Sequence, residues 1–496
     1  MPLRICFATA EMTPFAKAGG LADVSGALLK YLHADGHDIR VFMPAYSNIA
    51  LSGLEVVPVD FLQNMWVQLG AYRYDFSVLT TRLPGSQAFV YLIDCPACFH
   101  RGALYTDGPD EHRRFLVLTH AAFICCQYMG FSPQIMHFND WHTAAGTLLL
   151  RSTYAWDRLF ATARSVLTVH NIGYQGDVGA GAADEILPGG PHAMLNVGGL
   201  DHGHINLLRT GLHYADLITT VSPTYAREIQ TAQYGMGLQD LLRARGDAVV
   251  GILNGVDYDD WDPRRDRFLP RHYGANQLGV KAELKQEFLQ RLHLSSGTRT
   301  ALIGIVTRLA IQKGFDLLLE ALPVLLQARD FILVALGSGE RRYEDFFSGL
   351  QRRFPARVHF HRGYSDQLAH WIEAASDMFL MPSQYEPCGL NQMYSLRYGT
   401  VPIVRRTGGL ADSVQHFDRA SGQGTGVVFN DYDVPGVTWG VNTALDLYKE
   451  KTVWRRLVQN AMAQDFSWST QVQHYVETYE RLLSHESARS LSEYSA

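Results

Sequence analysis

Several features that would take a chain out of the ordinary globular class are scarce or missing here. Only six of 496 residues are cysteine, too few for a disulfide scaffold. No apolar run reaches membrane-spanning length; the nearest, V-L-T-H-A-A-F-I-C-C, reads as a buried helix. There is no run of basic residues and the formal net charge is −6, which argues against nucleic acid and against an anionic membrane surface as partners. The opening M-P-L-R-I-C-F-A-T-A-E-M lacks a basic region, a long apolar stretch and a cleavage site, so a cytoplasmic location is expected. Neither half carries G-x-G-x-x-G after its first strand, which disfavours a dinucleotide dehydrogenase, and no Walker lysine motif occurs. Metal-ligand spacing is thin as well. Cys95-Pro-Ala-Cys98, with His100 and His112 nearby, reads better as two reduced loop cysteines than as a redox or zinc pair. Asp201-His202-Gly203-His204 offers too few ligands for a metal site.

What is present points to two domains of one kind. The length exceeds a single core, and 47% hydrophobic with 19% charged residues is an ordinary globular composition. An apolar strand, L-R-I-C-F-A-T-A, leads through a glycine loop to Val24, Ala27, Leu28, Tyr31 and Leu32 at helical spacing, then to the strand I-R-V-F-M-P. That is a βαβ unit, and it implies parallel strands. Further buried-strand runs at 165–169, 217–221 and 249–253 continue the pattern. After Trp261-Asp262-Pro263 comes a charged, loop-like stretch, and then the alternation restarts with T-A-L-I-G-I-V-T-R-L, F-I-L-V-A-L-G, R-V-H-F-H, D-M-F-L-M-P and V-P-I-V-R-R. Two open, doubly wound α/β domains are expected, with ligands outside the carboxyl ends of their strands.

The pentapeptide G-G-L-A-D occurs twice, as Gly19-Gly20 and following, and as Gly408-Gly409 and following. Each copy follows a strand and opens a helix, where paired glycines admit a close ligand and free N–H groups face an anion. Tight strand–helix packing is the competing explanation. Lys17, Arg308 and Lys313, all on strand-end loops, strengthen the anion reading, since their charges suit a diphosphate. A sugar nucleotide between domains fits better than a dinucleotide. In Q-Y-E-P-C-G-L-N-Q, Glu386 is a carboxylate at a strand end, suited to accept hydrogen bonds from neighbouring sugar hydroxyls, or else to complement a helix dipole.

Taken together, K-A-G-G-L-A-D-V-S-G-A-L, N-D-W-H-T-A, T-V-H-N-I-G-Y-Q-G, T-V-S-P-T-Y-A-R-E-I, I-L-N-G-V-D, W-D-P, R-L-A-I-Q-K-G, Y-E-P-C-G-L and R-R-T-G-G-L-A-D resemble the bacterial glycogen synthases and plant starch synthases. The resemblance runs in order from about residue 3 to about 480. It implies the GT-B fold: two Rossmann-like domains facing across a deep cleft, with the C-terminal helix crossing back to the first. The implied division is 1–262, 263–470, and 471–496 for the crossing helix and a frayed tail, with a hinge near 262–275 that closes on ligand. The implied reaction transfers glucose from ADP-glucose to the non-reducing end of an α-1,4-glucan, with retention and without metal or other cofactor.

By the same resemblance Lys17, Gly19 and Gly20 line the donor site, Arg308 and Lys313 hold the diphosphate, and Thr407, Gly408 and Gly409 add backbone donors. Tyr364 stacks on adenine. Glu386, Cys388, Gly389 and Leu390 surround the glucose, with His170 and Asn254 opposite, while Asp140 and Asp23 stand on the acceptor side. One departure stands out: related retaining transferases often carry a second glutamate eight residues after the first, and here that position is Tyr394. Asp257-Tyr258-Asp259 resembles the metal-binding D-x-D of the other transferase fold and is read as a loop feature. A GT-B enzyme using UDP-glucose or a smaller acceptor is the nearest alternative, and a catalytically silent glucan-binding protein is the alternative from another class.

Overall fold

The computed structural model describes residues 2–49, 51, 53–106, 108–294 and 300–493. The chain divides into two compact units: Met1–Gly255 with Trp468–Ala496, and Val256–Ser467. Among the described residues no helix is long and apolar enough to cross a membrane.

The first unit holds a ten-stranded sheet among the described residues. Its parallel part runs, edge to edge, Val249–Gly251, Leu217–Thr220, Arg164–Val169, Ile135–Asn139, Arg4–Ala8, Asp38–Pro44 and Phe89–Asp94. The first strand is the hinge of this order. Later strands add beyond Asp38–Pro44 on one side and beyond Ile135–Asn139 on the other, so the direction of winding reverses between Arg4–Ala8 and Ile135–Asn139. Strands this apolar, buried on both faces, are what helices on either side of a sheet require. The antiparallel edge, Tyr72–Arg82 paired with Met65–Leu69 and with Val57–Pro58, falls outside the expected alternation, having no βαβ spacing to betray it.

The second unit holds, among the described residues, a six-stranded parallel sheet, in the order Val358–Arg362, Phe331–Gly337, Ala301–Val306, Met378–Met381, Val401–Arg405 and Val427–Phe429. Alternation along its strands builds two cores. Ile303, Ile305, Leu333 and Ala335 pack on one face, while Leu302, Ile332, Val334 and Leu336 pack on the other. Here too the order reverses beside the unit's first strand, between Ala301–Val306 and Met378–Met381.

Four expectations change. The chain passes into the second unit at Gly255, before the boundary at 262. The charged stretch after Trp261 is no loose hinge, because Asp262 and Asp266 are buried and bonded within the second unit, to Arg397 at 2.7 Å and to His370 at 2.9 Å. The carboxylates of this loop-like stretch are internal fasteners. The chain returns to the first unit at Trp468, where Tyr479 Oη meets buried His137 Nδ1 at 2.7 Å. That last helix runs from Trp468 to Glu493, so the tail expected to fray is helical through Glu493, in keeping with its helix-forming Glu, Ala, Arg and Leu; residues 494–496 lie outside the described ones. Finally, Cys95 and Cys98 flank no open loop. Pro96 starts a short helix, Pro96–Phe99, and both thiols are buried and joined in no disulfide.

Candidate active site

In open α/β sheets the ligand crevice forms at the carboxyl ends of the strands where the winding reverses. Each unit has one such point, and the expected residues divide between them.

In the second unit the reversal lies beyond Val306 and Met381. Lys313 and Glu386 meet there: Lys313 Nζ donates to Glu386 Oε1 at 2.8 Å and to Oε2 at 2.6 Å, while Ser383 Oγ donates to Oε2 at 2.9 Å. The Glu386 side chain is 5% exposed and that of Lys313 is 17% exposed, so this is a nearly buried ion pair with a third polar anchor. Ser383 is absent from the expected set, although it follows the same strand. Arg308 is exposed on the adjacent loop, and Tyr364 is 71% exposed, with its hydroxyl donating to Asp366 Oδ1 at 3.0 Å. Cys388 is buried, and its carbonyl accepts from Gln392 Nε2 at 3.0 Å.

The two G-G-L-A-D copies separate here. In the second, Gly409 N donates to the carbonyl of Glu386 at 3.1 Å. A Cβ on Gly408, at φ +42°, would fall 1.9 Å from the Glu386 carbonyl oxygen, and one on Gly409 would fall 2.1 Å from that of Cys388. These glycines exist so that Thr407–Gly409 can lie against the Glu386–Cys388 loop, and the Gly409 N–H expected to serve a diphosphate is already used by that loop. In the first copy a Cβ on Gly20 would meet nothing within 4 Å. Gly408→Ala should therefore lower the melting temperature, by about 1–3 kcal/mol of stability or more, together with activity. Gly20→Ala, in the first turn of the helix Gly20–Ala34, should be neutral or slightly stabilising. Melting curves of the two variants check this directly.

In the first unit the reversal lies beyond Ala8 and Asn139. A carboxylate absent from the expected set, Glu11, stands there. Its Oε2 accepts from Gly19 N at 3.0 Å and from Ala18 N, and its Oε1 accepts from Tyr105 Oη at 3.1 Å. Burial raises its pKa despite these bonds. Gly19, the first of the glycine pair, thus presents its amide, together with that of Ala18, to a carboxylate of the chain itself. Asp140, directly after the strand Ile135–Asn139, has φ +51°, a conformation sparsely used outside glycine and tolerated best by Asn and Asp. Its Oδ1 accepts from His170 N at 2.7 Å and from Asn171 N at 3.3 Å. Burial pushes the Asp140 carboxyl up to about 7, these N–H groups oppose that, and the charge of Glu11 adds to it. Asn139 Nδ2 donates to Ala8 O at 3.0 Å, which fixes its amide so that Oδ1 faces His170 Nε2 at 2.9 Å. An amide oxygen only accepts, so His170 carries its proton on Nε2; burial lowers its pKa to about 3, keeping the ring neutral.

The other expected residues of this unit are less engaged with the cluster. Lys17 Nζ pairs with Asp23 Oδ1 at 2.7 Å near the surface. Asn254, beyond the last parallel strand, is buried with its Oδ1 unpartnered. A recess of about 420 Å³ opens beside Trp141, lined among others by Glu111, Arg113, Asp177, Gly181 and Glu185. Asp259 N bonds Asp257 Oδ1 at 3.0 Å and Asp259 pairs with Arg265 at 3.1 Å, so the D-x-D triplet makes local loop contacts. Glu11 carries a sequence signal, its position just after the first strand. Tyr105 carries none, since it lies in a stretch without periodicity.

Residues 4–244 match the family described as starch synthase catalytic domain, and residues 290–461 match glycosyl transferases group 1. A glycogen synthase of Koribacter versatilis is 43% identical over 97% of this chain and 98% of its own length. One from Thermotoga maritima is 39% identical, covering 97% of this chain and 99% of the relative. Among solved structures, the catalytic domain of starch synthase IV from Arabidopsis thaliana, bound to ADP and acarbose, superposes with a TM-score of 0.89 at 34% identity, over 98% of this chain and 100% of that one.

Proposed function

The chain belongs to the glycogen and starch synthase family of hexosyltransferases, with its GT-B fold, and we propose that it moves glucose from ADP-glucose to the non-reducing end of an α-1,4-glucan with retention. The observation that carries the reading is the Lys313–Glu386 pair at the reversal point of the second sheet, within a chain similar to glycogen synthases over nearly its whole length. ADP in the starch synthase IV structure supports adenine in the donor.

In this reading the second unit takes the donor. Arg308 and Lys313 stabilise the charge that grows on the departing diphosphate, so that the electrostatic work is done by fixed cations of the chain. Glu386, held by Lys313 and Ser383, accepts hydrogen bonds from the glucose hydroxyls, and Tyr364 offers an exposed ring for the base. The first unit takes the acceptor at Asp140, Glu11 and neutral His170, with Trp141 and its recess available to sugar units further along the glucan. Lys17 and Asn254 complete the set of proposed contacts.

Incubation with ADP-glucose or UDP-glucose plus glycogen, following release of ADP or UDP, tests the proposal. We expect the higher specificity constant with ADP-glucose, and activity that survives EDTA. A preference for UDP-glucose would transfer the chain to the alternative donor class, and failure with both donors would defeat the reading.

A further inference from the structure

The helix Asn391–Tyr398 begins where the loop carrying Glu386 ends, and it is fastened at both ends. At its start Asn391 Nδ2 donates to Val306 O, and Gln392 Nε2 donates to Cys388 O and to Ser413 Oγ, each at 3.0 Å. Gln392, which also donates to Gly389 O at 3.1 Å, ties the helix to the loop that follows Glu386, while Asn391 fastens it to the end of the strand Ala301–Val306 and the bond to Ser413 fastens it to the helix Gly408–Ser413. Toward its other end, three residues at i, i+3 and i+4 spacing each meet one residue of the stretch Trp261–Asp266. The Tyr394 ring stacks on Trp261, with centroids 4.0 Å apart and planes 1° apart. Arg397 Nη2 pairs with Asp262 Oδ2 at 2.7 Å, and Tyr398 Oη donates to Asp266 Oδ2 at 2.6 Å. His370 covers the opposite face of Trp261 at 3.7 Å and bonds Asp266 through Nδ1 at 2.9 Å. With both faces of its ring covered, Trp261 is no platform for a ligand.

We propose that Trp261–Asp266 is a strap that sets the position of Glu386 through the helix Asn391–Tyr398, and that Tyr394 is the positioning residue through which Trp261 acts. This rests on the transfer reaction proposed above. The 8% exposure of Tyr394 places its ring in the fastening rather than at a solvent-filled subsite. A stacked pair this flat resists rotation of the helix, and the two buried carboxylates flanking it resist sliding. Small displacements matter at such a site, because a misplacement of about 1 Å can cost about 10²-fold in rate.

The test compares Tyr394→Ala, Tyr394→Phe and Trp261→Ala with Phe288→Ala, a core change in the same unit whose ring stacks on Trp371. Melting temperature, kcat, KM for ADP-glucose and Kd for ADP are read for each. Tyr394→Ala and Trp261→Ala should lose at least about tenfold in kcat while Kd for ADP stays within about threefold, and Tyr394→Phe, which keeps the stack, should restore kcat to within about twofold. Phe288→Ala should lose comparable melting temperature but keep kcat. Should Tyr394→Ala not fold, Tyr394→Leu carries the same comparison. Unchanged kcat in the Tyr394 and Trp261 variants, or an equal kcat loss in Phe288→Ala, overturns the proposal. Absence of transfer by the wild-type enzyme from either donor would instead strike the function on which it rests.

Discussion

Lys313→Ala should lower kcat by about two to three orders of magnitude, the scale seen when one donor to developing transition-state charge is removed. Its position on a loop outside the strand would suggest that folding is spared. The ion pair changes that expectation. Lys313 bonds both oxygens of Glu386, and only Ser383 Oγ would remain as a neutral donor to a carboxylate that is almost fully enclosed. Removing one partner of a buried pair costs up to about 3–5 kcal/mol, because the other charge is left uncompensated. The 17% exposure of the Lys313 side chain admits some solvent and puts this pair toward the lower end. A double variant separates the two effects. Lys313→Ala with Glu386→Gln has no stranded charge, so it should melt above Lys313→Ala alone while remaining at least as inactive. Steady-state kinetics and melting curves on the two single variants and the double variant suffice. Near wild-type kcat in Lys313→Ala would remove this lysine from the chemistry, and a double variant no more stable than Lys313→Ala would show that the pair carries no buried-charge penalty.

How far the sequence reveals this site depends on which physical signal each residue carries. Parallel strands are long apolar runs, and their carboxyl ends can be read from where the runs stop; Lys313, Glu386 and Arg308 are visible for that reason, whereas Asp140 is reached only through the family resemblance. Glycines carry less information than their number suggests, since the same five letters serve two purposes. Gly19 offers its amide to Glu11, whereas Gly408 and Gly409 are required by contact with the Glu386 loop. Composition cannot separate those cases, because they differ in what approaches the missing Cβ. The charged stretch after Trp261 misleads in the opposite sense. Asp262 and Asp266 lie in a stretch that reads as a charged loop, yet their partners Arg397, His370 and Tyr398 lie more than a hundred residues onward, and only the fold brings them together. Glu11 and Tyr105 form a contact of the same long-range kind.

Asp140→Asn should make the protein more stable and the enzyme much slower, and pH should tell the two effects apart. The carboxyl is raised from its ordinary value of 3.8 to about 7, mainly by burial. A raised acid favours the folded state only while it is protonated. Below about pH 4 both folded and unfolded chains hold the proton; between that and about pH 7 the unfolded chain releases it and the folded chain does not, so stability falls as pH rises through this window. Asparagine cannot ionise, keeps an oxygen to accept from His170 N and Asn171 N, and tolerates the φ of +51°. The variant should therefore match wild type near pH 4 and exceed it increasingly toward about pH 8. The gain should grow by about 1.4 kcal/mol per pH step of one across the window, with several kcal/mol as the ceiling. Activity should move the other way. If the ionised Asp140 carboxylate serves the acceptor, wild-type kcat/KM for glucan climbs through about pH 7, while the variant loses about 10²-fold or more and shows no such rise. Titrating melting temperature and acceptor kinetics over the same pH range puts both halves on one axis. A variant no more stable than wild type at about pH 8 would mean that the buried carboxyl is not under strain, and undiminished transfer to glucan would take Asp140 out of the acceptor site.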